Sequence, residues 1–357
     1  MSTEPTALVG EHAPDWEASR LSMADRADQQ KRREKASARR SRSLPLTERS
    51  GVSLRTEVRD WRDLDGDRPV TWRETVDCWR DYIRDKADIE TVFEDTSGNR
   101  ASGSEAHRFD PEYCDKQYAK LKDLERGISE EFGKRLHTAM LTFTASATPE
   151  GDPLPAVDHL DGLLESWDAI RRALDRVLDG RRYERLAILE PHPGDGVNNG
   201  YLHVHMAVFV DGPVRSSTFD DVIEAHVRNC DFAEPEAHDL EDDSTISVRH
   251  AGADRADEDD DSALDELAIY LAEYLGTYGD DPLDAPEHVQ AANALLWATG
   301  RQRWRPSNGA QSYMATEPRE PDSEWSLIGI EKDDEFMPAD PESGGVDRFT
   351  TSWDPPT

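Results

Sequence analysis

The sequence has few of the features that define several common protein classes. Its 357 residues include only three cysteines, Cys78, Cys114 and Cys230, which are far apart. This number and spacing argue against a disulfide framework and against a cysteine-based zinc site. No apolar run approaches the roughly 20 residues of a membrane helix, and the N-terminus has no basic segment followed by an apolar one, as a secretory signal has. The composition therefore favours a cytoplasmic protein.

Basic residues are also scarce, with 42 Lys and Arg against 76 Asp and Glu and a formal net charge of −34. Such a chain is either an acidic protein that repels nucleic acid or a protein of a high-salt cytoplasm, where an acidic surface serves solvation. The acidic residues are spread along the chain, which favours the second interpretation. In molar salt the Debye length is about 3 Å and counterion release contributes less to DNA binding. The net charge therefore does not exclude a nucleic-acid partner.

Composition and periodicity divide the chain into residues 1–50, 51–135, 136–315 and 316–357. The first part is expected to be poorly ordered, and its basic cluster at 31–43 fits either a solvated helix or tail or a nucleic-acid arm. The second has the apolar periodicity of helices. The third contains an acidic linker at 251–265, and the last is an acidic, proline-rich tail for which we expect little order.

The third part alternates between strand and helix patterns. Short β-branched or aromatic runs bounded by turn residues predict strands at 140–144, 183–190, 201–210 and 244–250. Apolar positions at helical spacing predict helices at 156–180, 219–230, 267–279 and 287–300. We therefore expect an α+β fold with a mainly antiparallel sheet and flanking helices, preceded by a mostly helical N-terminal region.

Two histidines stand in the otherwise apolar stretch YLHVHMAVFV, residues 201–210. Strand side chains alternate between faces, so His203 and His205 point the same way, about 6–7 Å apart along the strand. Two neutral imidazoles can share a divalent cation with a third ligand. Glu190, which ends the preceding strand, reaches them if the strands pair antiparallel, and His192 could take its place. Two hydrogen-bonded core histidines would give the same pattern.

Tyrosines follow further along the chain. Tyr270 and Tyr274 are four residues apart and share a face of the predicted helix, and Tyr278 continues the stripe. An aromatic core stripe explains this spacing, but a tyrosine hydroxyl is also a nucleophile that can form a covalent intermediate. A divalent cation would polarise a scissile phosphate. Together the two motifs provide the parts needed to transesterify a phosphodiester.

The stretch RQRWRPSNG, residues 301–309, is one of the few basic patches. Arg301, Arg303 and Arg305 with Trp304 suit contacts to phosphates and stacking on unpaired bases. A solvent-facing loop after a helix is an equally good interpretation.

The order of these motifs resembles the HUH endonuclease superfamily, in particular the rolling-circle replication initiators of plasmids and viruses. The matching segments are MLTFTAS (140–146), LEPHPGDGVNNGYLHVHMAVFV (189–210) and YLAEYL (270–275). The likeness covers about residues 136–315. The acidic composition and the stretch WATGRQRWRPSNGAQ (297–311) look like initiators of haloarchaeal plasmids and viruses.

The resemblance implies that His203, His205 and Glu190 bind Mn²⁺ or Mg²⁺. It implies that Tyr270 attacks single-stranded origin DNA to give a 5′-phosphotyrosine and a free 3′-hydroxyl, and that Tyr274 is a second nucleophile. A host polymerase would extend the 3′ end. No phosphate-binding loop of pattern G-x-x-x-x-G-K-[ST] occurs, so a host helicase would unwind the DNA.

One position departs from the pattern Tyr-x-x-Lys-Tyr found in many members of that superfamily. Glu273 stands where they have lysine. The positive charge is therefore absent or supplied elsewhere, and which tyrosine acts first stays open.

Three alternatives use overlapping residues. A mobilisation relaxase or single-strand transposase of the same superfamily would share every site residue. A non-catalytic origin-binding regulator would bind DNA without the metal or the tyrosines. A metal-dependent hydrolase would use His203, His205 and Glu190 with water as the nucleophile and would form no covalent adduct.

Overall fold

The computed structural model of this chain describes residues 36, 38–59, 68–104, 107–193, 196–251, 281–314, 325–332 and 335–338. The strands are β1 (Ile89–Asp95), β2 (Arg100–Ser104), β3 (Leu136–Phe143), β4 (Tyr183–Pro191), β5 (Leu202–Asp211), β6 (Ile246–Arg249), β7 (Trp304–Pro306), β8 (Trp325–Lys332) and β9 (Glu335–Pro338). The helices are α1 (Trp72–Ala87), α2 (Pro111–Phe132), α3 (Ala156–Glu165), α4 (Trp167–Val177), α5 (Asp220–Asn229), α6 (Glu287–Thr299) and α7 (Asn308–Tyr313). The α+β prediction is confirmed.

The central sheet has five antiparallel strands in the order β6-β3-β5-β4-β7. All of β5 except Asp211 is buried. Its long apolar run follows from this position, because a central strand covered on both faces buries every side chain. The antiparallel pairing of β4 with β5, on which the proposed metal site depends, is confirmed.

Two apolar clusters cover the two faces of this sheet. Val204, Met206 and Val208 of β5 belong to the larger cluster, with residues of α1 and α3 to α6. Ala207 and Phe209 belong to the smaller cluster, with residues of α2 and α7. By strand alternation, His203 and His205 lie on the face of the smaller cluster, at its end.

The predicted helix over 156–180 is wrong in one respect, because the structure divides it into α3 and α4 at Ser166. The Ser166 hydroxyl lies 3.1 Å from the Leu163 carbonyl oxygen and 2.7 Å from Nδ1 of His226. A serine side chain that bonds to the backbone of the preceding turn competes with the helix at that point. The second helix ends at Val177, three residues before the predicted end at Gly180, which lies in the following turn at a φ of 73°.

A second sheet has the order β2-β1-β8-β9, again antiparallel. Its first hairpin lies in the mostly helical N-terminal region, where Asp95 accepts hydrogen bonds from the backbone N–H groups of Ser97 and Asn99 in the turn. The other two strands lie in the tail, so the expectation of little order is wrong for 325–332 and 335–338. β8 pairs with β1, a partner more than 200 residues away that local composition does not reveal, and β9 pairs with β8.

The N-terminal region shares the larger apolar cluster with the central sheet. Trp72 and Trp79 are fully buried in it, and Nε1 of Trp72 donates to the Ala291 carbonyl oxygen of α6 at 3.1 Å. Among the described helices, none has the length and apolar character needed to cross a membrane. Because the two regions share one apolar core, we expect the residues before and after position 136 to unfold in a single transition.

We therefore expect Trp72→Ala to lower the free energy of unfolding by about 3–5 kcal/mol, as for other large core truncations. Trp325→Ala is the matched control, because Trp325 is 42% exposed, and it should cost about 1 kcal/mol or less. Denaturant unfolding in molar KCl, followed by circular dichroism and tryptophan fluorescence, measures both. Two separate transitions of which only one shifts in Trp72→Ala would contradict a shared core.

Candidate metal centre

The pairing register of the sheet brings the three predicted ligands together. Glu190 of β4 stands directly opposite His203 of β5. His205 stands opposite Ile188 on one side and Thr142 on the other. Directly opposed residues point to the same face, so both imidazoles and the carboxylate share one side of the sheet.

The three side chains converge on a single point. Nε2 of His205 lies 2.7 Å and Nε2 of His203 lies 3.4 Å from Oε2 of Glu190. The two Nε2 atoms are 2.9 Å apart. All three residues are buried, and among the described residues they form the one group whose ligand atoms are close enough to hold a metal ion.

The arrangement fits a divalent cation. Oε2 of Glu190 is buried and has no partner in hydrogen-bonding geometry, although both imidazoles are close. Ligand atoms about 2.1 Å from one ion are about 3.0 Å apart in an octahedron and about 3.4 Å apart in a tetrahedron, which matches the spacing seen here. Two imidazoles and a carboxylate suit Mn²⁺, Mg²⁺ or Zn²⁺.

Burial and mutual contact shift the protonation of the ligands. Burial alone would raise the pKa of Glu190, but the imidazoles of His203 and His205 outweigh it and lower that pKa to about 2. Burial lowers the pKa of His203. Both shifts favour the proton-free forms that bind metal at neutral pH.

Two neighbours orient the imidazoles. The Thr142 hydroxyl bonds to Nδ1 of His205 at 3.1 Å, which turns Nε2 toward the cluster, as outer partners of metal-binding histidines do. His192 stacks on His203 with ring centroids 4.2 Å apart. Burial, followed by the charge of His203, lowers the pKa of His192 to about 3. His192 therefore borders the cluster as a neutral ring and is not one of its three members.

The N-terminal basic cluster contributes to the site in a way the sequence did not reveal. The Arg42 guanidinium lies 3.7 Å from the ring centre of Trp72 and donates to the side-chain and backbone oxygens of Asn199 at 2.7 and 2.9 Å. Next to it Gly200 has a φ of 78°, and a Cβ there would come within 2.5 Å of Arg42. This contact fixes the loop that joins β4 to β5. The sequence offered one signal for this contact, an asparagine in a glycine-rich loop. Its arginine partner could not be predicted, because it is distant in sequence.

Other histidines are structural. His159 bonds to the Ala145 carbonyl oxygen at 3.0 Å and His226 to that of Thr144 at 2.8 Å. Burial lowers both pKa values to about 4. Their rings are neutral core groups at pH 7.

The proposed nucleophiles Tyr270 and Tyr274 lie outside the described residues, as does Glu273. The acidic linker at 251–265 is described only at Ala251. The roles of both tyrosines stay predictions.

The residues predicted to contact DNA lie on or beside the edge strand β7, and they are Arg301, Arg303, Trp304 and Arg305. Asp161 accepts a hydrogen bond from Arg301 at 2.5 Å, and Asn293 accepts one from Arg303. Trp304 packs against the smaller apolar cluster, and the Arg305 guanidinium lies 6.0 Å from the ring centre of Trp167. The patch is therefore an ordered strand attached to β4, and its contact with DNA stays a prediction.

Comparison with known proteins places this chain among haloarchaeal and viral sequences. A family described as "Putative rep protein (DUF1424)" matches residues 46–357. An "Uncharacterized 36 kDa protein" of Halobacterium salinarum is 39% identical over 323 residues, which are 86% of this chain and 98% of the relative. A protein with the same description from Halobacterium sp. (strain GN101) is 42% identical over 306 residues, 82% of this chain and 92% of the relative.

A third relative is more distant. "Uncharacterized protein 1" of Halorubrum pleomorphic virus 1 is 29% identical over 176 residues, 42% of this chain and 32% of the viral protein. No solved structure matches the chain.

The geometry predicts that the chain binds one divalent ion. We expect titration calorimetry with Mn²⁺ in molar KCl to give one ion per chain, and His203→Ala or Glu190→Gln to weaken binding at least about tenfold. His137→Ala is the control, because the half-buried His137 stands opposite Val210, at the other end of β5 from the ligands. Its ring stacks on His250 at 4.0 Å and bonds to the Arg135 carbonyl oxygen at 3.0 Å. Equal loss in the control, or wild-type affinity in both ligand variants, would show that the ion binds elsewhere.

Proposed function

The chain belongs to the family described as "Putative rep protein (DUF1424)", and from that premise we propose that it is a rolling-circle replication initiator of the HUH type. In this proposal it nicks and rejoins single-stranded origin DNA by metal-assisted tyrosine transesterification. The observation that carries the proposal is the buried cluster of Glu190, His203 and His205 on two paired antiparallel strands.

The chain order of the motifs supports the same conclusion. The first motif, MLTFTAS, begins in β3, which pairs with the strand of the two histidines. Thr142 from that motif bonds to His205. The two motifs that resemble the superfamily and lie in the described residues are thus neighbours in one sheet.

Glu190, His203 and His205 are the proposed metal ligands. A bound divalent cation supplies a Lewis acid that polarises the scissile phosphate. The Tyr270 hydroxyl attacks the phosphorus, the Tyr–O–P bond forms and the P–O3′ bond breaks. The phenolic proton is lost to solvent, and the leaving 3′ oxygen takes up a proton. The energy of the broken bond is retained in the phosphotyrosine, so rejoining needs no nucleotide cofactor.

Tyr274 is the proposed second nucleophile, which would accept the displaced strand after one round of synthesis. Arg301, Arg303, Trp304 and Arg305 are proposed to hold the unpaired DNA. The reaction leaves a free 3′-hydroxyl for a host polymerase, with a host helicase as the second partner.

The test is a covalent-adduct assay. Protein in molar KCl is incubated with Mn²⁺ and labelled single-stranded DNA that spans the candidate origin, and the products are separated on a denaturing gel. We expect label to stay with the wild-type protein and to fall to background in Tyr270→Phe and His203→Ala. Tyr278→Phe is the matched control from the same segment and should form the adduct normally.

The other outcomes distinguish the alternatives. Adduct that persists in Tyr270→Phe and is lost in Tyr274→Phe would reverse the assignment of the two tyrosines. Cleavage without adduct would indicate a hydrolase with water as the nucleophile. Binding with neither cleavage nor adduct would indicate a non-catalytic regulator. DNA from a transfer origin or transposon end that is cut in preference would indicate a relaxase or transposase.

A further inference from the structure

A cavity that is partly open to solvent lies at the β7 edge of the central sheet. Its walls come from the start of α2, from α6 and from β7. The residues used below are Arg108, Tyr113, Gln117, Asn293, Arg303 and Trp304.

Two residues that line this cavity each have a buried polar atom with no partner among the described residues. Nη1 of Arg108 donates to the Arg301 carbonyl oxygen at 2.6 Å, but Nη2 is buried and donates to nothing. Oε1 of Gln117 is buried and accepts nothing. Buried polar groups in folded proteins are nearly always paired. The residues that line the cavity thus include one donor and one acceptor without a protein partner among the described residues, which a ligand could pair after a small side-chain rotation.

The cavity is positively charged in an otherwise acidic protein. Burial, together with nearby Arg55 and Arg303, lowers the pKa of Arg108 to about 10, so the guanidinium stays charged at neutral pH. Asn293 holds Arg303 beside it. A cation with an unused N–H favours a ligand that presents an acceptor, an anionic group or both.

Aromatic rings form the rest of the wall. The Trp304 side chain bonds to the hydroxyl of the half-buried Tyr113, which fixes both rings. Flat aromatic walls favour a flat ligand that can stack. A phosphate alone would use the guanidinium but not the Gln117 acceptor or the rings. A nucleobase uses all three, because its edge presents donors and acceptors side by side and its face stacks on aromatic side chains.

The cavity adjoins the metal centre through the sheet. Leu189 donates its backbone N–H to the Arg303 carbonyl oxygen at 2.7 Å, and Trp304 stands opposite Ile188. Opposed Cα atoms in an antiparallel pair are about 5 Å apart. Arg303 is therefore one strand spacing from the residue before Glu190. The cavity residue Trp304 likewise lies beside Ile188, two residues before Glu190.

We propose that this cavity binds one unpaired nucleobase of the single-stranded DNA, with Arg108 and Gln117 contacting the base edge and Tyr113 or Trp304 stacking on its face. The proposal rests on the proposed function, because the base belongs to the single-stranded DNA that is the substrate proposed there. It adds Arg108, Tyr113 and Gln117 to the four residues of the β7 stretch already proposed to contact DNA.

The test measures base recognition apart from phosphate binding. Fluorescein-labelled dT16, dA16 and dC16, and a 16-unit strand of abasic residues, are titrated with the full chain by fluorescence anisotropy. EDTA prevents cleavage, and molar KCl screens the phosphate contribution. We expect the wild-type protein to bind at least one base-bearing strand about tenfold more tightly than the abasic strand.

The variants are Gln117→Leu and Arg108→Met, which keep the side-chain volume close to that of the original. Each should reduce the preference for the base-bearing strand by about tenfold, the effect of one hydrogen bond to a charged or buried partner, and should leave binding of the abasic strand nearly unchanged. Arg126→Met is the charge-matched control on α2, because Arg126 is exposed and paired with Asp123, and its preference should equal that of the wild type.

Three results would overturn the proposal. They are equal affinity of the wild type for base-bearing and abasic strands, an unchanged preference in both cavity variants, and a free nucleotide such as dTMP or dAMP that binds more tightly than any strand. The last would assign the cavity to a small molecule. The titration needs neither metal nor tyrosine, so it is independent of the covalent-adduct assay. A protein that forms no covalent adduct but still prefers base-bearing strands would contradict the nicking proposal and leave the base-binding proposal standing.

Discussion

The register between β4 and β5 is the constraint on which the candidate site depends. Glu190 meets His203 only because the two strands pair residue for residue at that point. A slip of one residue would turn one partner to the opposite face. The register is held because β5 is buried on both sides, with a separate apolar cluster on each. The apolar residues at 206–210 therefore help to keep the metal ligands in register, although they are not ligands themselves.

Much of this arrangement could be predicted from the sequence, because the signals were local. The strands at 183–190 and 201–210 were bounded by turn residues, and alternation put both histidines on one face. The antiparallel pairing that brings Glu190 to them follows from the short connection between the strands. The remaining features depend on contacts between distant residues. Neither the burial of Arg42 against Trp72 nor the pairing of β8 with β1 has a signature within a short window.

Composition also concealed where the positive charges lie. The chain has nearly twice as many acidic as basic residues, yet several arginines are packed inside it. Arg42 lies against Trp72, and Arg108 lines the cavity at the β7 edge of the central sheet. A planar guanidinium combines stacking on aromatic rings with hydrogen bonding, which suits it to such interior positions. The net charge of the chain therefore does not reveal these interior cations.

The pairing of β1 with β8 sets an order of assembly during translation. Ribosomes make the chain from the N-terminus, and domains generally fold as their residues emerge. The central sheet is complete once Pro306 has been made, but β1 must wait for Trp325–Lys332. Until then one side of the β1–β2 hairpin is an open edge, and unpaired edges recruit other strands. The nascent chain thus passes through an interval in which the central sheet can form while the β1–β2 hairpin still has an unpaired edge open to other strands.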